Sequence, residues 1–173
     1  MWSLIGLNVL VISTVGYILA SKPKVAYVDL SKVYSEFEMK KELEAKLQNV
    51  ENSRKTILDS IELKLNGLSN IIKRMDVKDK DRDAKIQDFE LSRQDYLLKQ
   101  KNFSENNDAA ATKYDQEIWK QINQYVKEYG KEHEYAYILG ADGTGAVMYA
   151  DEAKDLTKEV STYVNERYKG EKK

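Results

Sequence analysis

From Ser31 to Gly130 the chain carries an apolar residue every three or four positions and almost no turn chemistry, with its single proline, Pro23, outside the run. That period belongs to helices, and few folds accommodate so long a stretch of it. In the first half the apolar positions are Leu43, Leu47, Val50, Ile57, Ile61, Leu68, Ile71 and Met75, stepping by three and four as in a coiled-coil seam, with Arg54 and Lys64 as its two failures. A polar stretch, MDVKDKDRDA at residues 75–84, then interrupts the stripe. The seam resumes at Ile86, Phe89, Tyr96, Phe103, Ala110 and Tyr114, and continues through Ile118, Ile122, Tyr125 and Tyr129. Two arms of matched length on either side of a polar tip predict an antiparallel helical hairpin over 32–130, turning near 76–83. Each arm would reach roughly 65 Å at about 1.5 Å per residue.

The second arm places Arg93, Gln100 and Asn107 at seven-residue intervals along its expected inner face. Burying three such groups unpaired would cost about 1–3 kcal/mol each, so the seam reads as wet and the arms as loosely held. One polar residue suffices to fix register; three in succession favour looseness. The weak helix formers of NFSENNDAAA, residues 102–111, add local bending there.

The two ends of the chain change period. KVAYVDL, residues 24–30, is rich in β-branched and aromatic residues and reads as a strand, with Ser31 suited to cap the following helix. After Gly130, YAYIL reads as a strand, GADGTG as a turn and AVMYA as a second strand, before a helix opened by Asp155 with Leu156, Val160, Val164 and Tyr168 on one face. The glycines Gly140, Gly143 and Gly145 follow a strand, but a phosphate loop would have to lead straight into a helix. Asp142-Gly143 is instead the dipeptide of a tight hairpin turn. The fold class is therefore α+β: a first strand within 22–31, the helical hairpin, and a β-hairpin plus helix over 131–173. So small a sheet buries too little to stand alone, which predicts a β-barrel body closed by oligomerisation. Val28, Ile138 and Val147 are its expected core.

Ahead of this lies WSLIGLNVLVISTVGYILA, residues 2–20, uncharged and roughly 28 Å long as a helix. A cleaved signal peptide would carry a basic residue before the apolar run and small residues at the cleavage site. Here nothing basic precedes Trp2, and Ile18 stands where a small residue is expected. Residues 1–21 thus read as an N-terminal apolar helix, a retained transmembrane anchor in preference to a signal.

Basic side chains number 28 and acidic ones 29, so no field suggests a nucleic-acid partner. The absence of cysteine excludes disulfides, thiolate metal sites and a cysteine nucleophile. His133 is the only histidine and has no second ligand beside it. DKDRDAKIQDFE, residues 79–90, has acidic residues at positions 1, 3, 5 and 12 of a calcium loop, but Ala84 replaces the turning glycine and three basic residues oppose the charge. A solvated tip explains the same residues. No catalytic set can be assembled; no enzyme, metal or cofactor is expected.

The order of elements resembles the Skp (OmpH) family of periplasmic chaperones. The likeness is carried by KVAYVDLSKVYSEFE and by YILGADGTGAVMYADEAKDLTKEV, while the middle agrees in length and period. The resemblance implies a homotrimer with a β-barrel body and three helical tentacles, holding unfolded outer-membrane proteins in the periplasm without ATP. An anchor at residues 2–20, if uncleaved, would tether it to the inner membrane. Near-neutral charge departs from the strongly basic members of that family. Phe89, Tyr96, Phe103 and Tyr114, apolar or aromatic on loose arms, are the candidate client contacts. A different function would use the same layout as a scaffold subunit of a membrane-anchored envelope complex, its arms clamping a folded partner.

Overall fold

The computed structural model describes residues 23–171; the apolar segment at 2–20, and with it the expected anchor, lies outside them. Among the described residues no helix is long and apolar enough to cross a membrane. The order is β1 (Val25–Asp29), α1 (Leu30–Glu36), α2 (Glu38–Arg74), α3 (Arg82–Glu132), β2 (Tyr137–Ala141), a 3-10 turn (Glu152–Lys154) and α4 (Thr157–Glu171). These form two compact units: a body made of the chain before α2 and after residue 119, and an arm unit spanning Glu38–Trp119.

In the body, β1 and β2 pair in parallel, Val25 opposite Tyr137 and Asp29 opposite Ala141. Alternation along β1 turns Ala26 and Val28 inward. The other edge of β1 meets the start of α4: Leu156 N donates to Tyr27 O at 2.9 Å and Asp29 N to Thr157 Oγ1 at 2.8 Å. Close packing fixes a glycine here, since a Cβ on Gly140 would lie 2.5 Å from Leu30 Cδ1. Below the sheet Val33, Phe37, Ile122, Tyr125, Val160 and Val164 are fully buried. Phe37 interrupts the helix between α1 and α2, its backbone extended and its ring set edge-on to Tyr125 and Tyr168. Tyr125 donates to Glu171 Oε2 at 2.8 Å, and burial together with that carboxylate pushes its phenol above the ordinary tyrosine range.

Three local expectations are corrected. The cap of α1 is Asp29, whose carboxylate accepts from Lys32 N at 3.0 Å, and the helix starts at Leu30, ahead of Ser31. Asp155 does accept from Thr157 N at 2.8 Å, but it stands two residues before the first residue of α4. The expected β-hairpin is not formed: residues 142–150 contain no strand. The Asp142 carboxylate accepts from both the backbone N–H and the hydroxyl of Thr144. Gly143 and Gly145 have φ of 75° and 104°. This Asx-type turn satisfies the loop locally, and β2 spends its pairing on β1.

In the arm unit, α2 and α3 form the antiparallel hairpin, joined by residues 75–81. Asp76 and Asp79 reverse the chain by accepting from the N–H two residues on, Lys78 at 2.9 Å and Asp81 at 3.0 Å. Side-chain contacts link the two helices at Lys46 with Tyr114, Arg54 with Asn107, and Lys64 with Asp88.

Candidate functional site

The arms carry apolar side chains that are exposed to solvent. On α2 the row Leu47, Arg54, Ile61, Leu68 and Met75 is half-buried or buried, as the pattern predicts. Its companion row is Leu58, Leu65 and Ile72, one residue later than the Val50, Ile57, Lys64 and Ile71 of the sequence reading. Of that expected row, Val50, Ile57 and Ile71 are exposed. Lys64, among them, reaches across to Asp88 at 2.8 Å and holds its carboxyl below the usual range. The ion pair thus marks the flank of the seam from which these apolar residues face water.

On α3 the phase also shifts. Arg93 and Gln100 are exposed, and Ser92 and Lys99 take the inner positions. Asn107 does face inward, yet it is not unpaired. Its carbonyl accepts from Arg54, whose guanidinium also lies 5.3 Å from the Phe103 ring. The inner positions therefore hold a satisfied Arg54–Asn107 contact together with Ser92 and a Lys99 paired to Asp95, not three orphaned side chains.

Of the four candidate contacts, Phe89, Tyr96, Phe103 and Tyr114 are all half-buried along one row of α3. Phe103 sits under Arg54, and Lys46 lies 5.9 Å from the ring of Tyr114. The side chains most open to a passing polypeptide are others: Leu63 (75% exposed), Val77 at the tip (82%), Leu91, Leu97 and Leu98. Leu91 and Leu98, seven apart and off the seam, were the available sequence signal.

The body carries a second apolar surface. Val28 is buried within the chain's own core, and Ile138 and Val147 are half-buried. Tyr137 and Leu139 of β2 are exposed, and Met148 and Tyr149 are 92% and 88% open. The second edge of β2 carries no strand among the described residues. At the tip, α3 begins at Arg82, so Asp83 and Glu90 lie along a helix and not around a loop. Geometry of that kind cannot wrap a calcium ion. The arrangement as a whole can bind through apolar contact and strand edges.

Comparison with known proteins points the same way. The profile of the family described as Outer membrane protein (OmpH-like) matches residues 24–164. The Chaperone protein Skp of Pectobacterium atrosepticum is 26% identical over 139 residues, covering 79% of this chain and 82% of its own. A crystal structure described as an OmpH-like outer membrane chaperone, from Caulobacter crescentus CB15, superposes with a TM-score of 0.71 at 15% identity, covering 85% of this chain and 86% of that one. At that identity the last likeness concerns the fold.

Proposed function

The chain belongs to the family of OmpH-like outer membrane proteins, and from that premise we propose that it is an ATP-independent holdase for unfolded outer-membrane proteins in the periplasm. The observation that carries this reading is the apolar surface on the arms beyond what their seam buries: Val50, Ile57, Leu63 and Ile71 on α2, with Leu91, Leu97 and Leu98 on α3. Such residues give an unfolded chain many weak contacts, each worth little, so the client is held without being locked. The half-buried aromatic row at Phe89, Tyr96, Phe103 and Tyr114 lies on the same helix as Leu91, Leu97 and Leu98.

A homotrimer closing a barrel is the assembly we favour. A parallel pair of five-residue strands is too small to be stable alone, and Tyr137 and Leu139 of β2, with Met148 and Tyr149 after it, are exposed. Ile138 and Val147 would be covered on assembly, while Val28 anchors β1 from behind. Tethering through residues 2–20 belongs to the same proposal.

The test is suppression of aggregation of a urea-unfolded outer-membrane β-barrel protein diluted into buffer with the purified oligomer. Full suppression near stoichiometry is expected. A variant with Leu63, Leu91 and Leu98 all changed to Ser should need several-fold more protein, without loss of helix content. Absence of suppression by the unaltered chain would overturn the reading. Recovery of one folded, stoichiometric partner from native membranes would favour the scaffold function instead.

A further inference from the structure

β1 and β2 run parallel, so both begin at one end of the body, and Lys24 is bound there to the chain that follows α3. Its carbonyl accepts from Ala136 N at 2.8 Å. Its Nζ donates to His133 O at 3.0 Å and lies 4.0 Å over the Tyr135 ring. Lys127 and Lys131, in the last turns of α3, are exposed and make no ion pair among the described residues. Of the acids beside them, Glu132 pairs with Arg167 and Glu128 accepts from Gln124. Glu134 is the one left without such a partner among the described residues.

The distance from this end to the apolar segment is short. Four residues lead from Ala20, the last of that segment, to Lys24, and fully extended they span at most roughly 14 Å. The headgroup layer alone extends about 5–8 Å beyond the hydrocarbon. A body tethered through residues 2–20 therefore has no room to stand clear of the bilayer, and the part that meets it is fixed by what Lys24 holds. His133, Tyr135 and Ala136 are bound to that residue directly. Lys131 lies two residues before His133, and Lys127 one helical turn further back.

We infer that this end of the body rests on the membrane surface, with Lys24, Lys127 and Lys131 against anionic phospholipid headgroups; the inference rests on the tether in the proposed function. Cyclic symmetry sets equivalent residues of every copy at one level along the axis, so a trimer would present the three lysines of each copy to the same plane. Their attraction to an anionic leaflet acts within a screening length of about 8 Å at physiological salt, the range that the short link imposes. The strand edges stay free for assembly.

The test uses the full chain in vesicles of phosphatidylcholine, alone or mixed with phosphatidylglycerol, carrying a nitroxide on the lipid headgroup. The chain has no cysteine, so one introduced thiol takes a fluorophore uniquely. Ala136→Cys reports the proposed contact, and Ser31→Cys, past the other end of β1, reports the far side; both positions are exposed. The probe at 136 should be quenched several-fold more than the probe at 31, and more strongly with phosphatidylglycerol present. Lys127→Gln/Lys131→Gln, or about 1 M salt, where screening shortens to about 3 Å, should remove the gain due to the anionic lipid. Equal quenching at the two positions, no gain with the anionic lipid, or a gain that survives the lysine changes overturns the inference. A chain that floats with the vesicles yet shows any of these sinks this inference alone. One that floats with neither vesicle sinks the tether, and this inference with it, while the holdase is judged by the aggregation assay.

Discussion

Phe37 is the residue on which the body's packing converges, and Phe37→Ala measures how much. Its side chain is fully buried, 6.3 Å from the Tyr125 ring at 89° and 5.4 Å from the Tyr168 ring at 66°. Truncating a buried phenylalanine costs about 3–5 kcal/mol. Two edge-on aromatic contacts, each worth about 0.5–1.5 kcal/mol beyond area, put this case in the upper half, near 4 kcal/mol. For a unit of this size each kcal/mol moves the melting temperature by roughly 4–8 °C, so a fall of about 16–32 °C is expected. The near-UV circular dichroism of the tyrosines, followed against temperature, reports the body's transition. Leu63→Ala on the exposed face of α2 is the control and should stay within about 0.5 kcal/mol of the parent. A fall below about 5 °C for Phe37→Ala would refute the claim that α1, α3 and α4 are locked together through this ring.

Three further outcomes follow from contacts already described. Gly140→Ala places a Cβ 2.5 Å from Leu30 Cδ1 and should cost about 1–3 kcal/mol of body stability by chemical denaturation, most of it recovered in the double variant with Leu30→Ala. Arg54→Leu leaves the half-buried Asn107 without its donor and should cost about 1–3 kcal/mol, whereas Arg54→Leu/Asn107→Leu should be near neutral or stabilising and raise amide protection midway along both arms. The Asp155 carboxyl is held below its ordinary range, chiefly by the Thr157 hydroxyl. That contribution is present above the unfolded value of about pH 4 and is lost as pH falls through the lower folded value. The melting temperature should therefore drop as pH falls below about 4, and Asp155→Asn should flatten that drop.

Some of this architecture was legible because one local signal decides it. A short apolar run rich in β-branched and aromatic residues marked β1, and the loss of an apolar stripe at residues 75–84 marked the tip. The β-hairpin was misread because Asp142-Gly143 serves two turns equally well. The choice fell to Thr144, whose N–H and hydroxyl both reach the Asp142 carboxylate. Ser31 reads as a cap, but Asp29 is of a residue type that caps helices as well; β1 pairs with β2 as far as Asp29, and the helix starts at the next residue.

One row of the seam was misplaced for a different reason, and its misplacement bears on function. On α2 the row at Leu47, Ile61 and Leu68 can be completed by Val50, Ile57 and Ile71 or, one residue on, by Leu58, Leu65 and Ile72. Both completions step by three and four, and a single helix contains nothing that prefers one. The partner decides: α3 covers the second row, and the first is left facing water beside the Lys64–Asp88 pair. A helix that served only its hairpin would need one such row. Two rows, with Leu91 and Leu98 repeating the excess on α3, put more apolar surface on the arms than two helices can bury in each other. The ambiguity of phase and the proposed holding of an unfolded chain thus rest on one physical feature, the surplus row on each arm.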